Sequence, residues 1–166
     1  MCIKSVLYAE DDENDAFLMQ RAFAKIGEHE ALRIVRNGQL ATEYLSGMGA
    51  FGSRKEFPLP DMLLLDVKMP KMSGLEVLQW IRERPAFNAL TVVMLTSSTQ
   101  PADVQFCADH GANAYLVKPC RSDLLYDLMP KVLTAGVTES AGVRRLEIPG
   151  NQLPELGPGD DGAVSR

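Results

Sequence analysis

Five short, mainly apolar runs punctuate the chain before residue 118: Val6-Leu7-Tyr8-Ala9, Leu32 to Val35 (a candidate strand interrupted only by Arg33), Met62-Leu63-Leu64-Leu65, Val92-Val93-Met94-Leu95 and Tyr115-Leu116-Val117. Longer stretches with apolar residues at helical spacing lie between them. This alternation is the signature of βαβ units and predicts an α/β domain built on a parallel sheet. After the first run, Asp12 or Asn14 can cap a helix whose Phe17, Leu18, Ala22 and Ile26 fall on or near one face, and Gly27 stops it. A second helix is predicted from about Gln39 to Ser46. The loop that follows, Gly47 to Pro60, carries three Gly and two Pro and is long enough to suggest a function of its own.

Leu75, Leu78 and Ile81 mark a third helix, and a fourth starts at Pro101, a residue suited to the first helical turn, and ends at Gly111. A fifth, from Ser122, is expected to bury Leu124, Leu125 and Leu128. Pro130 falls within its span, where a proline removes a backbone donor and clashes with the preceding turn, so the helix should end or kink near Met129. Beyond Ala135, Gly, Pro, Ser and Thr crowd the chain and apolar residues thin out. Residues 1–135 therefore read as one domain and 136–166 as a Gly/Pro-rich tail with no output domain, although Val143, Leu146 and Ile148 could pack on the domain or on a second copy.

The chemistry sits where the runs end. Glu10 and Asp11 follow the first, Asp66 ends the third, Thr96 follows the fourth and Lys118-Pro119 the fifth. Ligands of open parallel sheets bind beyond the carboxyl ends of the strands, so these spots can converge on one crevice. Three carboxylates there repel one another unless a cation sits between them, and Mg2+, with its preference for oxygen ligands and phosphate, suits such a site. An aspartate beside a divalent cation can accept a phosphoryl group. Asp66 is the candidate acceptor, Lys118 the charge partner of the phosphate, and the Thr96 hydroxyl a further hydrogen-bond partner.

On these residues, with Met69-Pro70 and Gly74 behind Asp66 and Ser97 after Thr96, the chain resembles the receiver domain of bacterial two-component response regulators over about residues 3 to 133. The resemblance implies a flavodoxin-like, doubly wound five-stranded parallel sheet of order 2-1-3-4-5. It further implies phosphoryl transfer to Asp66 from a sensor histidine kinase or phosphotransfer protein. Asp11, Asp66 and the Lys68 backbone carbonyl would ligate Mg2+, with Glu10 holding a metal-bound water. Asp66 and Lys118 would be the catalytic pair, with Thr96 and Tyr115 as switch residues: the phosphate draws Thr96 inward and Tyr115 follows into the space. A downstream protein target is implied, a homodimer is possible, and a cis Lys118-Pro119 bond is suggested. The long loop and Pro58-Leu59-Pro60-Asp61 look most like the single-domain regulators partnered with bacteriophytochromes.

Bulk properties narrow the alternatives. The 166 residues carry a net charge of −5, which argues against duplex DNA, whose binding draws on many Lys and Arg contacts to phosphate. Cys2, Cys107 and Cys120 are an odd number without a C-x-x-C pair, which suits a reducing cytoplasm. No stretch is long enough for a signal peptide or membrane span. A magnesium-dependent hydrolase of the haloacid dehalogenase type would want an aspartate two residues after the nucleophile, where Lys68 stands. The chain should therefore hold phosphate rather than turn it over, as a switch and not a dedicated enzyme. A phosphate-independent scaffold fits poorly with intact Asp11, Asp66, Thr96 and Lys118.

Overall fold

Each apolar run becomes a parallel strand in the computed structural model, which describes residues 3–119 and 121–155. The strands are β1 (Val6–Ala9), β2 (Leu32–Val35), β3 (Met62–Leu65), β4 (Thr91–Thr96) and β5 (Ala114–Val117), in the order β2-β1-β3-β4-β5. Successive side chains of a strand face opposite ways. Val6, Tyr8, Met62, Leu64, Val93, Leu95, Ala114 and Leu116 accordingly enter one core layer, beneath α1 (Glu13–Lys25) and α5 (Ser122–Leu133). Leu7, Ala9, Leu63, Leu65, Val92, Met94 and Tyr115 enter the other, with α2 (Gly38–Ser46), α3 (Gly74–Arg82) and α4 (Pro101–Asp109). Strand order reverses between β1 and β3, which opens a crevice at their carboxyl ends.

The inner faces of two helices differ from the sequence expectation. In α1, Ala16, Met19, Ala22 and Phe23 are buried, while Phe17 is 56% exposed beneath the Arg21 guanidinium. Asp12 is the cap, and the phase it sets turns two alanines toward the sheet, where a short side chain permits close approach. In α5 the buried stripe is Leu125, Met129 and Val132, with Leu124 turned to solvent and Leu128 half-buried. Pro130 does not end this helix, which runs on to Leu133. Its ring lies on the exposed side, and burial of Met129 and Val132 on either side of it holds the last turn despite the lost donor.

The 47–60 loop is a plug. Its Phe51 and Phe57 rings pack with Tyr44 at centroid distances of 5.1, 5.3 and 5.9 Å. The Arg54 guanidinium donates to the carbonyls of Tyr44 and Leu45 at 2.8 and 2.6 Å, satisfying the open end of α2.

Past Ala135 the chain forms a hairpin of β6 (Val137–Ser140) and β7 (Val143–Leu146), turned by Ala141 and Gly142, both at positive φ as a type I′ turn requires. The hairpin and the residues after it lie along β5, the edge of the main sheet. Leu146 N–H donates to Asn113 O at 2.8 Å, Gln152 N–H to Tyr115 O at 2.8 Å, and Tyr115 N–H to Asn151 Oδ1 at 3.0 Å. Leu146 and Ile148 enter the α1–α5 layer, and Leu153 enters the other. The backbone groups that an edge strand leaves open are thus met by the chain itself. Cys107 is buried, while Cys2 and Cys120 lie outside the described residues.

Truncation after Ala135 should therefore lower the melting temperature and, by uncovering an apolar edge strand, cause concentration-dependent self-association. Thermal unfolding and sedimentation velocity check this. A truncated monomer as stable as the full chain would show that the docked segment contributes nothing.

Candidate functional site

Glu10 continues the parity of Val6 and Tyr8, Asp66 that of Met62 and Leu64, and Lys118 that of Ala114 and Leu116, so all three project toward the α1–α5 side. There the Lys118 ammonium donates to Glu10 Oε2, to Asp15 Oδ2 at 2.8 Å and to Asp66 Oδ2 at 2.7 Å. Its three donors are fully used. The Lys118 N–H also bonds Thr96 O at 2.7 Å, which ties the end of β5 to that of β4. No cis peptide bond occurs among the described residues, so the Lys118-Pro119 bond is trans, contrary to the suggestion of the resemblance. Trans is the intrinsic preference of such bonds, by about 0.5–1 kcal/mol, and in it Lys118 already reaches every partner just described.

Glu10 is buried. Its Oε2 also accepts from Tyr8 OH at 2.9 Å, and its Oε1 from Asp12 N–H at 3.0 Å. Burial pushes its carboxyl up to about 7, although the hydrogen bond from Lys118 opposes the shift. Burial draws the Lys118 ammonium down, but the bonds to Asp15, Asp66 and Glu10 more than offset it, and the net shift is upward. Lys118 stays charged. Tyr8 is raised too, by burial first and by Glu10 second. Carboxylate oxygens of Glu10, exposed Asp11 and Asp66 lie within 4.8 Å of one another. A small divalent cation with oxygen bonds of about 2.1 Å can bridge such a spacing with slight side-chain movement. The donor set is all hard oxygen, which fits Mg2+.

The backbone around Asp66 is closely fitted. Lys68 N–H reaches back to Asp66 Oδ1 at 3.3 Å, while the Lys68 side chain is exposed. Gly74 N–H bonds Val67 O at 2.8 Å, and a Cβ at Gly74 would lie 1.9 Å from Asp66 O. The start of α3, capped reciprocally by Ser73 and Glu76, is thereby pressed against the end of β3.

Thr96 and Tyr115 belong to the opposite layer. The Thr96 hydroxyl accepts from Ser98 N–H at 3.2 Å and is buried. The Tyr115 ring is fully buried, with its hydroxyl donating to Ser98 O at 3.0 Å, and Ser98 Oγ in turn bonds Asp103 at 2.6 Å. The inward position expected to follow phosphorylation is thus already taken, because Ser98 O receives the hydroxyl and the docked segment holds the Tyr115 backbone. Tyr8, Asp15, Ser98 and Asp103 were missed from sequence. Tyr8 was legible as the residue two before Glu10 on the same strand face. The placement of Asp15 over the strand ends, as the third residue of α1, was legible, but its bond to Lys118 was not.

A family model described as the response regulator receiver domain matches residues 6–129. The chain belongs to this family. The probable methanogenesis regulatory protein FilR2 of Methanothrix harundinacea is 37% identical over 114 residues, which cover 69% of this chain and 71% of that protein. Response regulator Rcp1 of Synechocystis is 33% identical over 115 residues, 69% of this chain and 76% of its own. The crystal structure of the phosphorylated cyanobacterial phytochrome response regulator RcpA superposes with a TM-score of 0.72 at 29% identity, covering 78% of this chain and 91% of that one. The receiver fold, and with it the standing of this chain as a phosphorylatable response regulator, is shared with these proteins. Among the described residues no helix is long and apolar enough to cross a membrane.

Two consequences are measurable. Gly74→Ala should lose about 1–3 kcal/mol or more, because backbone rather than a flexible side chain occupies the space, while Gly52→Ala, with ordinary contacts, serves as the neutral control in denaturant titration. The second concerns pH. A carboxyl raised on folding from 4.5 to about 7 favours the fold while protonated, and that contribution is lost as pH rises through about 7. In chelator, stability should fall between about pH 4.5 and 7 and level off above that, and the gain in Tm on adding Mg2+ should be larger at about pH 8 than at about pH 6. Glu10→Gln should flatten the metal-free dependence. A wild-type Mg2+ effect independent of pH would count against the assignment.

Proposed function

We propose that Asp66 accepts a phosphoryl group from a sensor histidine kinase or phosphotransfer protein and that the phosphorylated chain signals by contact with a partner protein. The observation that carries this reading is the 2.7 Å bond from Lys118 to Asp66 Oδ2 beside the Glu10, Asp11 and Asp66 carboxylates. Asp11, Asp66 and the Lys68 carbonyl would hold Mg2+ directly, and Glu10 through a water. The ion supplies neutralisation of charge on the transferred oxygens. An Asp66 oxygen attacks phosphorus in line with the leaving group. Lys118, released from Asp66, pairs with one phosphoryl oxygen, and Thr96, whose oxygen already accepts from Ser98, has its own proton free to donate to another.

The position two residues beyond Asp66, where a hydrolase of the alternative class carries its acid, is an exposed lysine. On this reading the chain holds phosphate and is not a dedicated hydrolase. Residues 1–135 are the receiver unit, and the segment from 136 acts as a cover for β5 rather than as an output module. Likeness to Rcp1 and RcpA, the latter described as a phytochrome response regulator, favours a bacteriophytochrome-type kinase as donor and a cytoplasmic location. The acidic balance favours a protein target over duplex DNA. A homodimer is compatible with this reading.

With Mg2+ and a small acyl phosphate, wild type should gain one phosphoryl group by intact mass, chelator should prevent it, and Asp66→Asn should gain none. Equal adducts on both proteins would falsify Asp66 as the acceptor.

A further inference from the structure

Asp15 stands outside the three carboxylates that share the metal cavity, yet it bonds Lys118 as closely as Asp66 does. Why its carboxylate is available follows from a comparison of the caps of α1 and α3. In α3 the third helical residue, Glu76, returns its side chain to the N–H of the cap, Ser73. Asp15 occupies the same position in α1, with its own N–H bonded to the Asp12 cap at 2.9 Å. The Asp12 N–H, however, is already taken by Glu10 Oε1. The reciprocal half of the cap is therefore unavailable to Asp15, and its side chain, leaning toward the helix start as helical side chains do, meets Lys118 instead. The Lys118 side chain is 14% exposed and that of Asp15 39%.

We propose that Asp15 is a positioning residue for phosphoryl transfer: with Glu10 it holds the Lys118 ammonium at two points, leaving the third N–H, now on Asp66, as the one that passes to the incoming phosphoryl oxygen. This rests on the phosphoacceptor reading above. In the transfer an Asp66 oxygen forms the new P–O bond while the bond from phosphorus to the donor breaks, P–N in a phosphohistidine and P–O in an acyl phosphate, the electron pair leaving with that nitrogen or oxygen. Lys118 gives up no proton. It exchanges one acceptor for another, and two fixed anchors confine the exchange to a rotation of a few ångströms instead of a search by a long flexible side chain. Asp15, at the rim and not a ligand of the cavity, is the anchor that metal binding leaves in place.

The alternative is an acid in the first turn of a helix, favourable to the helix dipole and without effect on Lys118. Two measurements on Asp15→Asn and Asp15→Glu separate the readings. Phosphorylation by a small acyl phosphate with Mg2+, followed by intact mass, should slow by about three- to tenfold in Asp15→Asn and recover largely in Asp15→Glu, which restores the charge. Brief acylation with an amine-reactive reagent in chelator, read by peptide mass, should label Lys118 faster in Asp15→Asn than in wild type, with Lys4, Lys25 and Lys131 as internal controls. A merely structural acid would move neither Lys118 labelling nor its ratio to the controls. Wild-type phosphorylation in Asp15→Asn, or unchanged labelling of Lys118, overturns the proposal. No uptake by wild type, with the labelling difference intact, overturns the phosphoacceptor reading and the catalytic half of this one while leaving the Asp15–Lys118 anchor standing.

Discussion

One ammonium among too many carboxylates is the constraint on which the rest of this site depends. Lys118 meets Glu10, Asp15 and Asp66, and Asp11 stands nearby. A single positive charge leaves the cluster anionic, and burial of Glu10 makes its share of that charge costly, as its raised carboxyl shows, while Asp11 and Asp15 face water in part. The surplus is what a divalent cation neutralises. Once a cation is present, the same crevice tolerates the further negative charge of a phosphoryl group, which Lys118 alone would not balance. The charge count of the strand ends therefore suits a divalent cation.

Strand parity distributes the chemistry. Glu10, Asp66 and Lys118 continue the even positions of their strands and fall on the α1–α5 side, whereas Thr96 and Tyr115 share the phase of Met94 and fall on the other. The phosphoryl group would sit between these two sets, at the end of the sheet. The charged groups thus lie on one face of the sheet, and Thr96 and Tyr115 on the other. The β4–α4 connection joins them through Ser98, which touches the Thr96 hydroxyl with its N–H and the Tyr115 hydroxyl with its carbonyl.

Most of this was legible because the strands are short and mostly apolar, and β1, β3 and β5 are ended abruptly by acids or by Lys-Pro, so that sequence order and parity nearly determine the crevice. What was not legible depended on phase and on distant partners. The inner face of α1 was legible at Ala22 but out of phase elsewhere, since Ala16, Met19 and Phe23 turn inward and Phe17 does not. Pro130 gave a correct local signal that tertiary burial of Met129 and Val132 overrides. Asp15 lay one helical turn from residues already singled out, but its role depends on Glu10 taking the Asp12 amide, a competition no spacing rule reveals. Past Ala135 the strand pairing was not legible in a composition sparse in apolar residues, but Leu146 and Ile148, two of the three residues expected to pack there, do dock, Val143 is only half-buried, and Leu153 docks as well.

That docked segment changes what movement of Tyr115 can mean. In a parallel strand the N–H and C=O of one residue point to the same side, and those of Tyr115 point away from β4, onto Gln152 and Asn151. Displacing the β5 backbone there would break two bonds that no strand replaces, each left unmade at about 1–3 kcal/mol if buried. Turning the Tyr115 side chain breaks only the bond to Ser98 and moves the ring past Cys107 and Leu153, its neighbours in the same core layer. The softer response is the side chain. The segment over β5 thus fixes the Tyr115 backbone and leaves the ring as the part that can turn.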